Sequence, residues 1–243
     1  MLRTLLAGAC FAALAYAGAH TLTHGFQVWT AEGARRLEVA LQPVPAPAVA
    51  LATALPAGET LDQLLANGQS VTIIDFVYTR CISVCLALGS AFQQMQAEIE
   101  HASPGAKSLP VRLLSISFDP AHDNLHVLQR YANRLGAVPR VWRFVGPRDP
   151  PDLARLLDSY QVVVIPDGLG GFEHNAALLV VDPAGRLVRI FDYAELGTAL
   201  AYARSIAPGA RVQPLLHDSA ASTGTLRHLT GLGPPVPARA TVQ

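Results

Sequence analysis

Two strongly apolar stretches and one helical stretch stand out along the chain. Residues 71–78 and residues 111–118 are apolar and rich in β-branched side chains, which predicts two buried strands. Between them, residues 84–100 carry apolar side chains at close to every 3.6 positions, which predicts an amphipathic helix. A strand, a helix and a second strand in this order indicate two parallel strands joined by a crossover helix.

Further helix-like and strand-like patterns of apolar residues follow as far as residue 206. Helices are predicted at 61–67, 122–135, 150–160 and 193–206, and strands at 142–145, 176–181 and 187–191. The turn sequence Asp182-Pro-Ala-Gly-Arg joins the last two strands into a hairpin, which we expect at an edge of the sheet. The order predicts an α/β fold of thioredoxin-like type, with a mixed sheet flanked by helices.

The N-terminal segment is long and uncharged. Residues 5–19 lack strong polarity, and no charged residue lies between Arg3 and Glu32. As a helix the run spans only about 22 Å of the roughly 30 Å of membrane hydrocarbon, so crossing requires the weakly polar residues that follow. This composition indicates export from the cytoplasm.

Two interpretations of residues 1–30 stay open. We favour a retained signal anchor in the inner membrane, with the domain in the periplasm, because uncharged residues continue to Trp29, a residue suited to the interface. The small residues of Ala15-Tyr16-Ala17 also fit a cleavage site, which would release the protein into the periplasm.

Composition divides the remainder into three parts. Residues 31–59 include a Pro- and Ala-rich stretch and are expected to form an extended connector, and residues 60–206 hold the predicted domain. Residues 207–243 are dominated by Gly, Pro, Ser, Thr and Ala, which predicts a flexible tail.

The charge balance and the number of cysteines limit the possible functions of the domain. The 18 basic and 18 acidic residues balance, so nothing indicates nucleic acid as a partner. Of three cysteines, Cys10 lies in the N-terminal segment, which leaves the domain with Cys81 and Cys85. A disulfide scaffold would show several pairs in a shorter chain, so this pair indicates a redox or metal site; the alternative is a buried, inert pair.

Cys81 and Cys85 fall where the first strand leads into a helix. A thiol in the first helical turn lies at the positive end of the helix dipole, and Arg80 adds a charge, so the thiolate is favoured. The spacing of four lets both sulfurs face one side if the helix begins at or near Cys81.

Two thiolates suit a soft metal ion but leave it under-coordinated. The candidates for a third ligand in the domain are His101, His122, His126 and His174. His174 lies in a Gly-rich loop before the hairpin, from which it can reach back towards Cys81, and for His122 and His126 we prefer an ordinary role on one helix face. Two thiolates and an imidazole hold copper in either oxidation state.

Asp119 and Asp123 follow the second strand, at the sheet edge where sites of α/β proteins cluster. We interpret Asp119-Pro120 as a strand terminator and Asp123 or a neighbour as a helix cap. Support of nearby metal ligands is the alternative role.

Three motifs in order resemble the Sco/SenC family of membrane-tethered, thioredoxin-like copper proteins. They are Phe76-Val-Tyr-Thr-Arg-Cys-x-x-x-Cys85, Ser115-Ile-Ser-Phe-Asp-Pro-x-x-Asp123, and His174 just before Ala177-Leu-Leu-Val-Val-Asp-Pro-x-Gly185. The resemblance covers about residues 60–205. The family commonly has Pro after each cysteine, where this chain has Ile82 and Leu86.

The resemblance implies that Cys81, Cys85 and His174 bind one copper ion. It implies a metallochaperone, rather than an enzyme with turnover, that assists assembly of the dinuclear copper centre of cytochrome c oxidase. Its partners would be the copper-bearing oxidase subunit or another copper chaperone. The competing hypothesis is a membrane-tethered thiol-disulfide reductase that uses Cys81 and Cys85 on the cysteines of a periplasmic client.

Overall fold

The computed structural model describes residues 1–52, 59–81, 84–106 and 108–210, except the side chains of residues 84–87. The helices are α1 (Leu2–Leu22), α2 (Ala31–Leu41), α3 (Leu61–Leu65), α4 (Val84–Ala102), α5 (Leu125–Arg134), α6 (Pro150–Ser159) and α7 (Leu196–Ser205). The strands are β1 (Val44–Pro45), β2 (Leu51–Ala52), β3 (Val71–Val77), β4 (Val111–Ser117), β5 (Trp142–Pro147), β6 (Val164–Pro166), β7 (Phe172–His174), β8 (Ala177–Val181) and β9 (Arg186–Asp192).

Seven strands form one mixed sheet in the order β1-β9-β8-β3-β4-β5-β2. The central strands β3, β4 and β5 are parallel, with Ile73 opposite Leu113 and Leu113 opposite Trp142. Strand β8 runs antiparallel to β3 and pairs with β9 as the predicted hairpin. The prediction of an α/β mixed sheet flanked by helices is therefore confirmed.

Both faces of the sheet are covered by apolar side chains. Every residue of β3 is buried, which explains why this strand is mostly apolar and does not alternate between apolar and polar residues. Even-numbered positions such as Ile74 pack in one hydrophobic cluster with α3 and α6, and odd-numbered positions such as Ile73 pack in the other with α4 and α7. The carboxyl ends of β3 and β4 lie together at one edge of this sandwich.

The hairpin is not at the edge of the sheet, contrary to expectation, because the short strand β1 pairs antiparallel with β9. A second hairpin, which we call the ribbon (β6, β7 and the turn between them), forms a separate two-stranded sheet. Its strands have three residues each, too few for a period-2 pattern to show in the sequence.

The prediction of an extended connector at 31–59 is wrong for its described part, residues 31–52 and 59. Helix α2 packs against β9, with Val39 and Arg35 buried. The segment after α2 pairs with one edge of the sheet at β1 and with the other edge at β2, and it buries Val49. Pro45 is compatible with β1 because β1 is a short strand at the edge of the sheet.

The two ends of the chain were predicted as an anchor and a tail. Among the described residues, Leu2–Leu22 is the one helix that is long and apolar enough to cross a membrane, and a signal sequence passes the same test. The tail predicted at 207–243 lies outside the described residues from position 211 onward.

Candidate metal centre

The loop after β3 brings Cys81 to the start of α4. Cys81 is buried, and its backbone N–H donates to the carbonyl of Tyr78 at 3.2 Å, which closes a tight turn. Helix α4 begins at Val84, so Cys85 belongs to its first turn whereas Cys81 precedes the helix. The condition for both sulfurs to face one side of the helix, a start at or near Cys81, is therefore not met. The side chain of Cys85 lies outside the described residues, as do those of Ile82 and Leu86.

Asp123 fixes the first part of this loop. Its carboxylate accepts from the Thr79 N–H at 3.0 Å, from the Thr79 hydroxyl at 2.6 Å and from the Ser117 hydroxyl at 2.6 Å. Asp123 is therefore not the cap of α5; the neighbouring Asn124 caps the helix by accepting from the Val127 N–H at 3.1 Å. The three bonds tie the β3 loop to the end of β4.

Asp119 fixes the residue that precedes Cys81. It is buried and accepts from the Arg80 guanidinium at 2.9 Å, and its other oxygen lies 3.1 Å from Nδ1 of His122. The expectation that His122 shares a helix face with His126 is wrong, because α5 begins only at Leu125. His122 instead lies beside Arg80, 3.3 Å away.

His174 is the last residue of β7, and its imidazole is turned inward. Its ring lies 5.1 Å from the ring of Phe118, which follows β4. Both ring nitrogens are buried, and neither has a hydrogen-bond partner among the described residues. Burial lowers the pKa of His174, so the neutral form that binds metals is favoured.

Tyr78 joins the ribbon to the loop that carries Cys81. Its hydroxyl accepts from the Phe172 N–H at 3.2 Å and donates to the Phe172 carbonyl at 3.4 Å. The rings of Tyr78, Phe118 and Phe172 contact one another with centroids 5.3 to 5.7 Å apart. The ribbon end that bears His174 is thus held over the carboxyl ends of β3 and β4.

These contacts bring together the Cys81 loop, Asp119, Asp123 and the His174 ribbon. Among the fully described side chains, no group of three His, Cys, Asp or Glu residues is close enough to hold a metal ion. Because the Cys85 side chain lies outside that set, the ligand set of Cys81, Cys85 and His174 stays a prediction.

The other histidine candidates lie elsewhere. His101 is exposed in the last turn of α4, about 24 Å from Cys85 along the helix axis. His126 is exposed on α5. Neither residue is a reasonable ligand partner for the cysteine loop.

Asp75 is a buried acid that the sequence interpretation passed over. It lies on β3, and neither carboxyl oxygen has a hydrogen-bond partner among the described residues. Burial raises its pKa to about 7. The signal that could have found it is a single charged residue within a mostly apolar strand.

The fold and the site define a class of protein: a thioredoxin-like domain with a cysteine pair after a central strand and a buried imidazole nearby. The SCO1/SenC family model matches residues 56–207, more than half of the chain. The chain belongs to the SCO1/SenC family.

Known proteins agree with this assignment at low sequence identity. The chain is 23% identical over 127 residues to the SCO1 protein homolog of Bacillus subtilis (strain 168), which is 51% of this chain and 63% of that protein. The match therefore spans less than two thirds of the relative's length.

Solved structures confirm the fold. BsSco, a member of the Sco family of cytochrome c oxidase assembly proteins, aligns with a TM-score of 0.56 at 17% identity over 68% of this chain and 94% of that one. A SCO1/SenC family lipoprotein from Bacillus anthracis str. Ames aligns with a TM-score of 0.51 at 16% identity over 58% and 83%. The predicted thioredoxin-like fold is confirmed.

Proposed function

We propose that this chain is a copper metallochaperone that binds one copper ion through Cys81, Cys85 and His174. Its task is to assist assembly of the dinuclear copper centre of cytochrome c oxidase. Membership of the SCO1/SenC family supports this role, and so does the fold shared with BsSco, a member of a family of oxidase assembly proteins.

The observation that carries the proposal is the state of His174. A buried polar atom without a partner costs free energy, and native proteins rarely leave one unexplained. Here both imidazole nitrogens are buried and lack a partner among the described residues. A metal ion bound on the cysteine side of the ribbon would use one of them.

The donor set suits copper as cargo. Thiolates favour Cu(I), and an added imidazole also accommodates Cu(II), so the ion can be held in either oxidation state. Asp119 and Asp123 do not bind the ion in this account; they hold the loop on which Cys81 lies, through Arg80 and Thr79. Such outer groups commonly set the orientation of metal ligands.

The expected partners follow from this role. They are the copper-bearing subunit of cytochrome c oxidase or another copper chaperone. The domain would lie in the periplasm, tethered to the inner membrane by α1 or released after cleavage of the signal. The apolar helix Leu2–Leu22 supports both forms.

A copper titration tests the proposed ligands. The reduced full-length chain, in neutral detergent, is titrated with Cu(I) and Cu(II) while sulfur-to-copper charge-transfer absorption is followed. We expect binding of about one ion, with loss of stable binding in Cys81→Ser and Cys85→Ser. In His174→Ala we expect Cu(II) binding to weaken at least tenfold.

His126→Ala is the matched control, because it removes an exposed imidazole from α5. Its titration should match that of the unchanged chain. Equal copper binding by His174→Ala and the unchanged chain would refute the role of His174. No copper binding by the unchanged chain would refute the chaperone function itself.

A thiol-disulfide reductase is the second candidate function. Two cysteines four residues apart lie at the junction of β3 and α4, with Cys81 before the helix and Cys85 in its first turn. This position favours the thiolate form that takes part in disulfide exchange. Its test is reduction of a disulfide-bonded client peptide by the reduced chain. A reductase would retain its rate in His174→Ala and lose it in both cysteine variants.

A further inference from the structure

Three arginines surround a pocket at the end of the sheet opposite the cysteines. Arg112, Arg140 and Arg143 line this arginine pocket, a small cavity of about 20 Å³ that is also lined by Asn67 and Thr72. No acidic residue is among the described residues that line it. Thr72 lies five residues before the end of β3, which puts the pocket about 17 Å along the strand from the loop that carries Cys81.

The sheet register puts two of the arginines on one face. Arg112 is opposite Thr72, and two positions further along β4, Leu114 is opposite Arg143 on β5. Residues 112 and 114 share a face, so Arg112 and Arg143 are diagonal neighbours with Cα atoms roughly 8 Å apart. The strands themselves hold these two positive charges together.

Neither of these two charges has a carboxylate partner in the part of the chain that the structure describes, although the Nε of Arg143 donates to the carbonyl of Pro139 at 3.4 Å. Among the described residues, no carboxylate forms an ion pair with Arg112 or Arg143. The Nε of Arg112 is buried and lacks a hydrogen-bond partner within the same part of the chain. Burial, followed by the charge of Arg143, lowers the pKa of Arg112.

Arg140 completes the rim of the pocket. One of its nitrogens donates to the carbonyl of Ala106 at 3.0 Å, which orients the side chain, and another lies 3.8 Å from Glu100 on the exposed surface. The charge of Arg140 is therefore partly balanced by Glu100, whereas Arg112 and Arg143 have no carboxylate partner among the described residues.

We propose that the arginine pocket binds a phosphate-type oxyanion. Guanidinium groups bind such anions through paired N–H donors, and a bound oxygen would satisfy the Nε of Arg112 while separating two like charges. The phosphate can belong to a small soluble molecule or to the headgroup of an anionic phospholipid. Either source presents the same oxygens to the pocket.

This site is independent of the proposed copper function. It lies at the amino-terminal ends of β3, β4 and β5, and it shares no residue with the cysteine loop or the His174 ribbon. Loss of phosphate binding therefore leaves copper binding unchanged, and the reverse also holds.

Titration with inorganic phosphate tests the proposal on the full-length chain in neutral detergent. The readout is the ¹H–¹⁵N resonance of Arg112 Nε, with sodium chloride at equal ionic strength as the salt control. We expect a saturable shift of this resonance with phosphate and none with chloride. Arg112→Gln and Arg143→Gln should each weaken binding, measured by calorimetry, at least tenfold.

Arg130→Gln is the matched control, because Arg130 is exposed on α5 and outside the pocket. It should bind phosphate as the unchanged chain does. An equal loss in all three variants, a chloride effect as large as that of phosphate, or no shift up to about 20 mM phosphate would each overturn the proposal.

Two lipid environments distinguish the sources of the phosphate. The full-length chain is placed in nanodiscs of phosphatidylcholine alone or with added phosphatidylglycerol. A shift of the Arg112 resonance caused by phosphatidylglycerol, and abolished in Arg143→Gln, identifies a lipid headgroup. A response to soluble phosphate alone identifies a free phosphorylated ligand.

Discussion

Among single residues, Tyr78 joins the ribbon to the loop that carries Cys81 through its hydroxyl. It makes two hydrogen bonds to the backbone of Phe172, two residues before His174. Hydrogen bonds of this kind contribute about 1 kcal/mol each. The contact therefore affects where the imidazole lies more than whether the domain folds.

We expect Tyr78→Phe to weaken Cu(II) binding about fivefold while Cu(I) binding by the thiolates changes less. The ring contacts with Phe118 and Phe172 remain, so the ribbon is loosened and not detached. Copper titration of the two oxidation states measures the difference. Tyr160→Phe is the control, because the buried hydroxyl of Tyr160 has no partner among the described residues; an equal effect in both variants would contradict the positioning role.

Asp75 makes the stability of the domain depend on pH. Its folded-state pKa of about 7 lies above its ordinary value of 3.8, because burial disfavours the charged form. The stability that the protonated carboxyl contributes is therefore fully present below about pH 4 and is lost as the pH rises through about 7.

We expect Asp75→Asn to remove this dependence. As the pH rises from 4 to 7, the free energy of unfolding of the unchanged chain should fall relative to that of the variant, by up to a few kcal/mol. Urea unfolding at several pH values measures it. Parallel pH profiles of the two proteins would contradict a raised pKa at Asp75.

At the scale of elements, helix α2 belongs to the folded domain. The buried guanidinium of Arg35 donates twice to the carbonyl of Tyr160, at 2.8 and 3.1 Å, and pairs with Glu32 on its own helix. The strands that follow α2 then pair with both edges of the sheet.

We expect Arg35→Ala to lower the free energy of unfolding by about 2 to 3 kcal/mol, since it removes charged hydrogen bonds and leaves a buried carbonyl unsatisfied. Arg36→Ala, which removes a partly exposed side chain from the same helix, should cost less than about 1 kcal/mol. Chemical denaturation compares them. Equal small losses would show that α2 is not part of the cooperative unit.

The elements that sequence patterns predicted are those with enough residues to show a period. Strands β3 and β4 and helix α4 are long, and their patterns placed them within a few residues. By contrast, β1 and β2 have two residues each and depend on their sheet partners, so their proline-rich surroundings suggested a connector.

In the molecule as a whole, the two proposed binding sites lie at opposite ends of the sheet. Its carboxyl-terminal edge gathers the cysteine loop, the buried aspartates and the ribbon, and its opposite edge gathers the arginine pocket. Motifs in the sequence predict Cys81 and His174 as ligands, because residue types and spacings can be read from the sequence alone, and their role in metal binding stays a prediction. Tyr78, Asp75 and the Arg112–Arg143 pair were missed, because their roles depend on burial and on contacts between distant segments.

In the proposed function, His174 shares one copper ion with Cys81 and Cys85. The most direct test of this shared site is electron paramagnetic resonance of the full-length chain with one equivalent of Cu(II), resolved for nitrogen hyperfine coupling. We predict coupling from one imidazole nitrogen that is absent in His174→Ala and retained in His126→Ala. An unchanged nitrogen signal in His174→Ala would contradict the account.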